Sequence, residues 1–435
     1  MLETFRSIFK VEELRKRILF TLALLVVYRI GGHIPTPGVD GSVLTQALSS
    51  QTIFGLLDLF AGGAFAKATI FALGIMPYIS ASIMLQLLGA VIPYLQRLQR
   101  EGEEGRRKIT QYTRYLTVAV AALQAWATAG FLTSINFNGV AAVHMSHVWF
   151  IPLTVLTFTC GTIFIMWLGE QITERGIGNG ISLIIFIGII ARFPDAVVQE
   201  VVLWWNDARG TLTELALVAL MLGVTAAVIL MTRAQRRIPV QYPRRVVGRR
   251  VFGGASTHLP LSVNSAGVIP IIFAQSIMFL PSTVAQLFPN IDWMQNLVAK
   301  SLAPGNWLYS IIYALIIIFF AYFYTAIVFN PMEMADNMRK NGGYIPGIRP
   351  GKNTAEYIEK VLTRITLPGA LFFAAIAVLP WVLVSHVNVS YFFGGTGLLI
   401  VVGVALDTLQ QIESHLLMRH YDGFMKKGRI RGRSM

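Results

Sequence analysis

The chain has 435 residues, 54% of them hydrophobic and only 13% charged, with a mean hydropathy of +0.60. That balance excludes a soluble globular domain and indicates an integral membrane protein of many helices. Lys and Arg outnumber Asp and Glu by 36 to 22, and the single cysteine, Cys160, sits in an apolar run, which excludes an internal disulfide and a thiolate metal site.

The chain opens with MLETFRSIFKVEELRKR, and no cleavage site follows the apolar run behind it. The first span is therefore expected to be retained rather than removed as a signal peptide. Ten apolar runs reach spanning length, at about 18–35, 71–95, 115–134, 148–169, 178–193, 212–232, 265–286, 307–330, 366–385 and 392–410. The fifth is short. The uncharged block 365–406 must hold two spans, split by SHVNVSYFFGGTG.

Orientation follows from the basic residues. Thirty-one of the 36 fall in the N-terminus, in the loops 95–114, 170–177, 233–264 and 331–365, and in the tail after 410. Only Lys67, Arg192, Arg209 and Lys300 lie on the other side, with Arg29 inside the first span. The positive-inside rule makes both termini cytoplasmic. The spans divide five and five near 194–211, giving halves 1–208 and 209–435. An odd number of spans per half forces opposite topologies, the arrangement of inverted repeats. The expected fold is all-α and polytopic, with ten transmembrane helices in two inverted five-helix halves.

Two pieces stand out between 54 and 96. Residues 54–66 are apolar but too short to cross, carry Asp58, and are loosened by Gly62 and Gly63. They read either as a re-entrant, cavity-lining piece or as a loop before an ordinary span. Residues 68–96 carry no charge and can span, placing Ile79 and Ile83 on one helical face with the small Ser80, Ala81 and Ser82 between them. Ile181 and Ile185 repeat that spacing, Ile272 follows Pro270, and Ile400 lies in LLIVVGV. If the six met at mid-membrane they would form a narrow apolar constriction that gates by dewetting; by spacing alone they read first as packing residues.

The two long basic loops differ in character. TRAQRRIPVQYPRRVVGRRVFGGAS, in 233–264, is expected as an extended hairpin. NPMEMADNMRKNGGYIPGIRPGKNTAEYIEKVLTR, in 331–365, sets Gly and Pro around Arg349 before a helical end. Both suit anionic lipids, at about 1 kcal/mol per basic residue near the surface. Both equally suit a cytosolic partner, including the phosphates of an RNA.

Catalytic chemistry is missing from the motifs. The chain lacks G-x-x-x-x-G-K-[ST], H-E-x-x-H and a G-x-S-x-G elbow. GIGNG at 176–180 follows a membrane helix rather than a strand, so it is weak as a phosphate cradle. His144 and His147 read as surface histidines, and Asn388-Val-Ser390 as an accidental acceptor pattern. Arg29 is expected to snorkel, while Glu170 and Asp407 lie near cytoplasmic ends. No Asp, Glu and His set lies at mid-membrane, which weighs against ion-coupled transport but not against a facilitator. No enzyme activity, metal or cofactor is expected.

GIMPYISASIMLQLL at 74–88, WLGEQITERGIGNGIS at 167–182, VNSAGVIPIIFA at 263–274, IPGIRPGKNTAEYI at 345–358 and FGGTGLLIVV at 393–402 resemble the bacterial SecY family of protein-conducting channels, in order and over nearly the whole chain. The resemblance implies a ten-helix clamshell through which unfolded secretory polypeptides cross, with hydrophobic segments released sideways into lipid. It implies a plug at 54–66, including Phe54, Leu56, Leu57, Leu59, Phe60, Gly62, Gly63 and Phe65. It implies a pore ring of Ile79, Ile83, Ile181, Ile185, Ile272 and Ile400. A lateral gate would lie between the second and third spans and the seventh and eighth, with Gln86, Asn179 and Gln275 beside it. Arg349 and Tyr421 match residues used with a motor ATPase, SecA, and Arg244 and Arg245 sit in the loop directed at the ribosome. The resemblance further implies SecE and SecG as small membrane subunits, signal-sequence-bearing polypeptides as cargo, and the bacterial inner membrane as location. A secondary transporter for a small solute and an intramembrane enzyme are the competing classes; long basic loops and the missing carboxylates favour the channel.

Overall fold

The computed structural model describes residues 11–48, 61–137, 140–206, 210–242, 245–247, 250–252, 256–264, 267–287, 293, 306–387 and 395–427. These form two compact units. One comprises the described residues of Met1–Val197, Leu280–Gln295 and Val404–Met435; the other those of Val198–Phe279 and Asn296–Gly403.

The chain is mostly helical. The first unit holds α1 (Glu12–Gly31), α2 (Gly41–Leu48), α3 (Met76–Val91), α4 (Pro93–Arg100), α5 (Glu103–Ser134), α6 (His147–Arg175), α7 (Gly180–Ile190) and the start of α8 (Phe193–Trp205). A small hairpin, β1 (Asn136–Phe137) with β2 (Val140–Ala141), joins α5 to α6. The second unit holds the rest of α8, α9 (Thr211–Arg233), four strands, α11 (Trp307–Val328), α12 (Pro331–Lys340) and α13 (Lys352–Val387). Between α9 and α11 comes α10 (Ile269–Leu287), and the last described helix is α14 (Thr396–Lys427); both pass from one unit to the other. The strands are β3 (Gln235–Gln241), β4 (Arg245–Val247), β5 (Arg250–Phe252) and β6 (Ser256–Ser262).

Each of the ten apolar runs overlaps a described helix. Among the described residues, seven helices are long and apolar enough to cross a membrane, and eight if the bent pair α3–α4 counts as one. α9 states the solvent most clearly: only 6% of its most apolar window is buried, and Leu212, Leu215, Leu222 and Leu230 all point outward. A helix that is apolar on its exposed face requires lipid or another apolar surface around it.

The expected span 71–95 is shorter as a helix. Residues 62–75 run mostly as turns, with Gly74 at φ +56° and Ala68 at φ +43°, and the helix starts only at Met76, with Pro77 in its first turn. The turns are tied to the segment after α1 by Thr36 N–H to the Ala68 carbonyl at 2.9 Å and Ile70 N–H to the Ile34 carbonyl at 3.0 Å. α3 therefore has 16 residues, about 24 Å of rise. It ends at Ile92, held extended at φ −87° and ψ 117° by the following Pro93, and α4 leaves at 105°.

Within the first unit α5 packs along both α3 and α6, α4 lies against α5, and α1 lies against α6. Arg114 on α5 grips Glu170 on α6 with two bonds, Nε to Oε1 at 2.9 Å and Nη2 to Oε2 at 2.8 Å. Such bidentate pairing fixes both separation and rotation of the two helices. A ring series runs Tyr28, Phe71, Phe164 and Trp167, with centroids about 6 Å apart, joining α1, the turns and α6.

Candidate functional site

Ile79 and Ile83 lie one turn apart on α3, 4% and 3% exposed, and the intervening Ser80 and Ala81 are buried with them. On α7, Ile185 is fully buried and Ile181 half-buried. The approach of α7 to α6 requires glycine: a Cβ on Gly180 would overlap the Gly169 carbonyl, and one on Gly169 would meet Ile181 Cγ1 at 3.0 Å. These four isoleucines belong to the first unit. Ile272 on α10 and Ile400 on α14 are buried in the second. There, a Cβ on Gly403 would overlap Val268, so the chain entering α10 lies against α14 one turn from each isoleucine.

Of the plug residues, Phe54, Leu56, Leu57, Leu59 and Phe60 lie outside the described residues. Gly62, Gly63 and Phe65 are described. Gly62 and Gly63 take φ +63° and +88°, which only glycine adopts without strain, and Phe65 is buried. Gly62 is set so close to α7 that a Cβ would stand 2.9 Å from the Gly188 Cα. Arg29 has a partner within the protein: its Nη1 donates to the Gly62 carbonyl oxygen at 2.9 Å, because the turn brings that acceptor beside the end of α1.

The polar candidates have identifiable partners. Gln86 Nε2 donates to Ser82 Oγ at 3.2 Å on α3. Asn179 caps α7: its Oδ1 accepts from the N–H groups of Ile181 and Ser182 at 3.2 and 3.4 Å. Gln275 is 3% exposed on α10, and its Oε1 accepts from the Tyr313 hydroxyl of α11 at 3.3 Å. A buried amide held this way links the two helices. The glycine run 176–180 is occupied by the protein itself. Ile177 N–H donates to Thr21 Oγ1, Gly178 N–H to Gln411 Oε1 and Gly180 N–H to Thr173 Oγ1, at 3.1, 3.1 and 2.9 Å. Donors so engaged cannot cradle a phosphate.

The two basic loops form one body with its own core. β3 and β6 pair antiparallel from Gln235↔Ser262 to Gln241↔Ser256, and β4 and β5 pair from Arg245↔Phe252 to Val247↔Arg250. The expected hairpin is therefore present. Alternation turns Ile238 and Val240 inward, where they join Leu261, Met338, Ile345, Ile358 and Leu362 from β6, α12, the turn after it and α13. Arg349 lies on that turn, between Gly347 at φ +82° and Gly351 at φ +106°, and its carbonyl accepts from Thr354 Oγ1 at 2.9 Å. Arg244 lies outside the described residues, Arg245 starts β4, and Tyr421 is in the last turns of α14.

Sequence reasoning missed three relationships: Arg114 with Glu170, Arg29 with Gly62, and the shared core of the two loops. Opposite charges at matching helix ends, and the apolar alternation within QRRIPVQ, are the signals that carried the first and third. The second had none, because its acceptor is backbone.

The arrangement defines a multi-pass helical membrane protein, with isoleucines and a glycine turn at its buried helix faces and a basic body built from its two long loops. The family model described as SecY matches residues 69–409, and the chain belongs to that family. Over 100% of both chains it is 45% identical to the protein translocase subunit SecY of Thermotoga maritima. It is 49% identical to the Streptomyces scabiei subunit, over 98% of this chain and 100% of that one. For the Haemophilus influenzae subunit the figures are 47%, 97% and 96%. Its fold is shared with a solved protein-conducting channel, at TM-score 0.67 and 18% identity over 92% of both chains. It is also shared with Sec61 in the canine ribosome-channel complex, at TM-score 0.60 and 17% identity over 92% of both chains.

Proposed function

We propose that this chain is a passive protein-conducting channel for unfolded secretory polypeptides, releasing hydrophobic segments sideways into lipid. The full-length match to translocase subunits carries this reading. The halves 1–208 and 209–435 would form the clamshell, with Ile79, Ile83, Ile181, Ile185, Ile272 and Ile400 as its constriction and 54–66 as its plug. Isoleucine suits a seal of this kind because dispersion contacts are undirected. A ring of aliphatic side chains closes around any passing residue, whereas hydrogen-bonding groups would select among them. Gln86, Asn179 and Gln275 would line the lateral gate. Since no nucleotide motif is present in the sequence, the driving force would come from partners. SecA would engage Arg349 and Tyr421, the ribosome Arg244 and Arg245, and SecE and SecG would be the small membrane subunits. Anionic lipids would meet the remaining basic surface, in the bacterial inner membrane with both termini cytoplasmic.

Cysteines introduced at Ile83, Ile185 and Ile400 in a Cys160→Ser background test the pathway by crosslinking to a stalled translocation intermediate. Crosslinks at these positions and not at lipid-facing controls such as Leu222 are expected. Equal crosslinking of the controls, or none anywhere with an active motor, would remove the ring.

A further inference from the structure

Beyond their shared core, the hairpin and the Arg349 turn are hydrogen-bonded through the pair Gln241 and Tyr344. Gln241, the last residue of β3, and Tyr344 exchange backbone bonds, Gln241 N–H to the Tyr344 carbonyl at 2.9 Å and Tyr344 N–H to the Gln241 carbonyl at 3.0 Å. A third bond runs from the Tyr344 hydroxyl to Gln241 Oε1 at 3.0 Å. The preceding residue must be small, since a Cβ on Gly343 would stand 2.9 Å from the Tyr242 ring. Little slack separates Tyr344 from Arg349. Ile345 is buried in the common core, and Thr354, itself buried, holds the Arg349 carbonyl from the far side. The guanidinium thus projects from a turn whose entry is fixed by the hairpin and whose exit is fixed by α13.

We infer that Tyr344 is a positioning residue: by bonding Gln241 it sets the Arg349 turn against the hairpin, so that both present one rigid basic surface to a cytosolic partner bearing carboxylates. The inference rests on the proposed use of Arg349 by a motor ATPase. A partner that binds a preset surface loses less conformational freedom than one that must order the turn itself, so the Gln241–Tyr344 bond contributes to affinity without touching the partner. Arg349 supplies the contact; Tyr344 supplies its place.

The test uses the whole translocon in membrane vesicles and reads precursor-dependent stimulation of the motor ATPase, with thermal unfolding measured alongside. Tyr344→Phe, which removes only the hydroxyl, is expected to raise the motor concentration needed for half-maximal stimulation about five-fold at unchanged unfolding temperature. It should add nothing on top of Arg349→Ala, because the two act through one contact. Gln241→Leu, which removes the acceptor without adding charge, should raise the half-maximal concentration as Tyr344→Phe does. Gln241→Cys with Tyr344→Cys in the Cys160→Ser background reads the same point without loss of folding, since a hydrogen-bonded antiparallel pair sits about 5.5 Å apart at Cα, within disulfide reach. The oxidised form is expected to be stimulated fully and the reduced form weakly. Full stimulation of Tyr344→Phe, additivity with Arg349→Ala, or loss of stimulation on oxidation would overturn the inference while leaving the reading of Arg349 intact. Undiminished stimulation of Arg349→Ala would instead remove that reading, and the inference with it.

Discussion

The guanidinium of Arg29 and the carbonyl of Gly62 are hydrogen-bonded at 2.9 Å, 33 residues apart in sequence. The bond ties the end of α1 to the glycine turn that leads out of the segment 54–66. A hydrogen bond from a charged donor to a backbone acceptor is among the stronger kinds, so the contact favours this conformation of the turn.

Arg29→Met is expected to lower stability by about 2 kcal/mol, the range for a hydrogen bond to a charged group. Thermal unfolding in detergent measures it. If 54–66 closes a resting pore, vesicles carrying Arg29→Met should also leak small ions without any motor present.

The two glycines of the turn should differ. Both have positive φ, so alanine costs about 1–2 kcal/mol at either. Only at Gly62 does the new methyl also meet backbone, the Gly188 Cα at 2.9 Å; at Gly63 the nearest atom is the Arg192 Nε at 4.0 Å. Gly62→Ala should therefore destabilise more than Gly63→Ala in the same unfolding assay. Equal losses would mean that α7 yields at Gly188.

The core of the basic body is expected to behave like that of a small domain. Ile358 is fully buried there, and Ile358→Ala should cost about 2–5 kcal/mol by leaving a cavity. Faster amide hydrogen exchange at Ile238 and Val240 reports it, with the exposed Tyr357→Ala as a near-neutral control.

A pH effect is expected in the loop between α1 and α2. Asp40 accepts from Ser42 twice, from Oγ at 2.6 Å and from N–H at 2.9 Å, and lies 3.9 Å from His144 Nε2. The Ser42 hydroxyl, then its N–H, favour the carboxylate and hold its pKa below the usual value. A lowered folded value means that the contribution is present above the unfolded pKa and fades as pH falls through the folded one. Exchange protection of the Ser42 amide should accordingly persist through the ordinary carboxylate range and drop only below it. In Asp40→Asn it should be flat with pH.

Membrane residence, the position of the apolar helices and the hairpin were all legible in the chain, because each depends on local composition. Twenty apolar residues need lipid wherever they stand, and alternation within QRRIPVQ needs one covered face. The late start of α3 was less legible. Residues 71–75 are as apolar as those that follow, and contacts with distant segments, the Thr36 and Ile70 bonds and the stacking of Phe71 between Tyr28 and Phe164, accompany the turns. What the tertiary structure alone decided are the contacts whose partner is backbone or lies far along the chain. Arg29 finds a carbonyl, the N–H groups of Ile177 and Gly178 find Thr21 and Gln411, and Gln241 meets Tyr344 across 103 residues. Hydrophobicity is a property each segment carries with it, whereas a hydrogen bond exists only once folding has brought a particular donor and acceptor within about 3 Å.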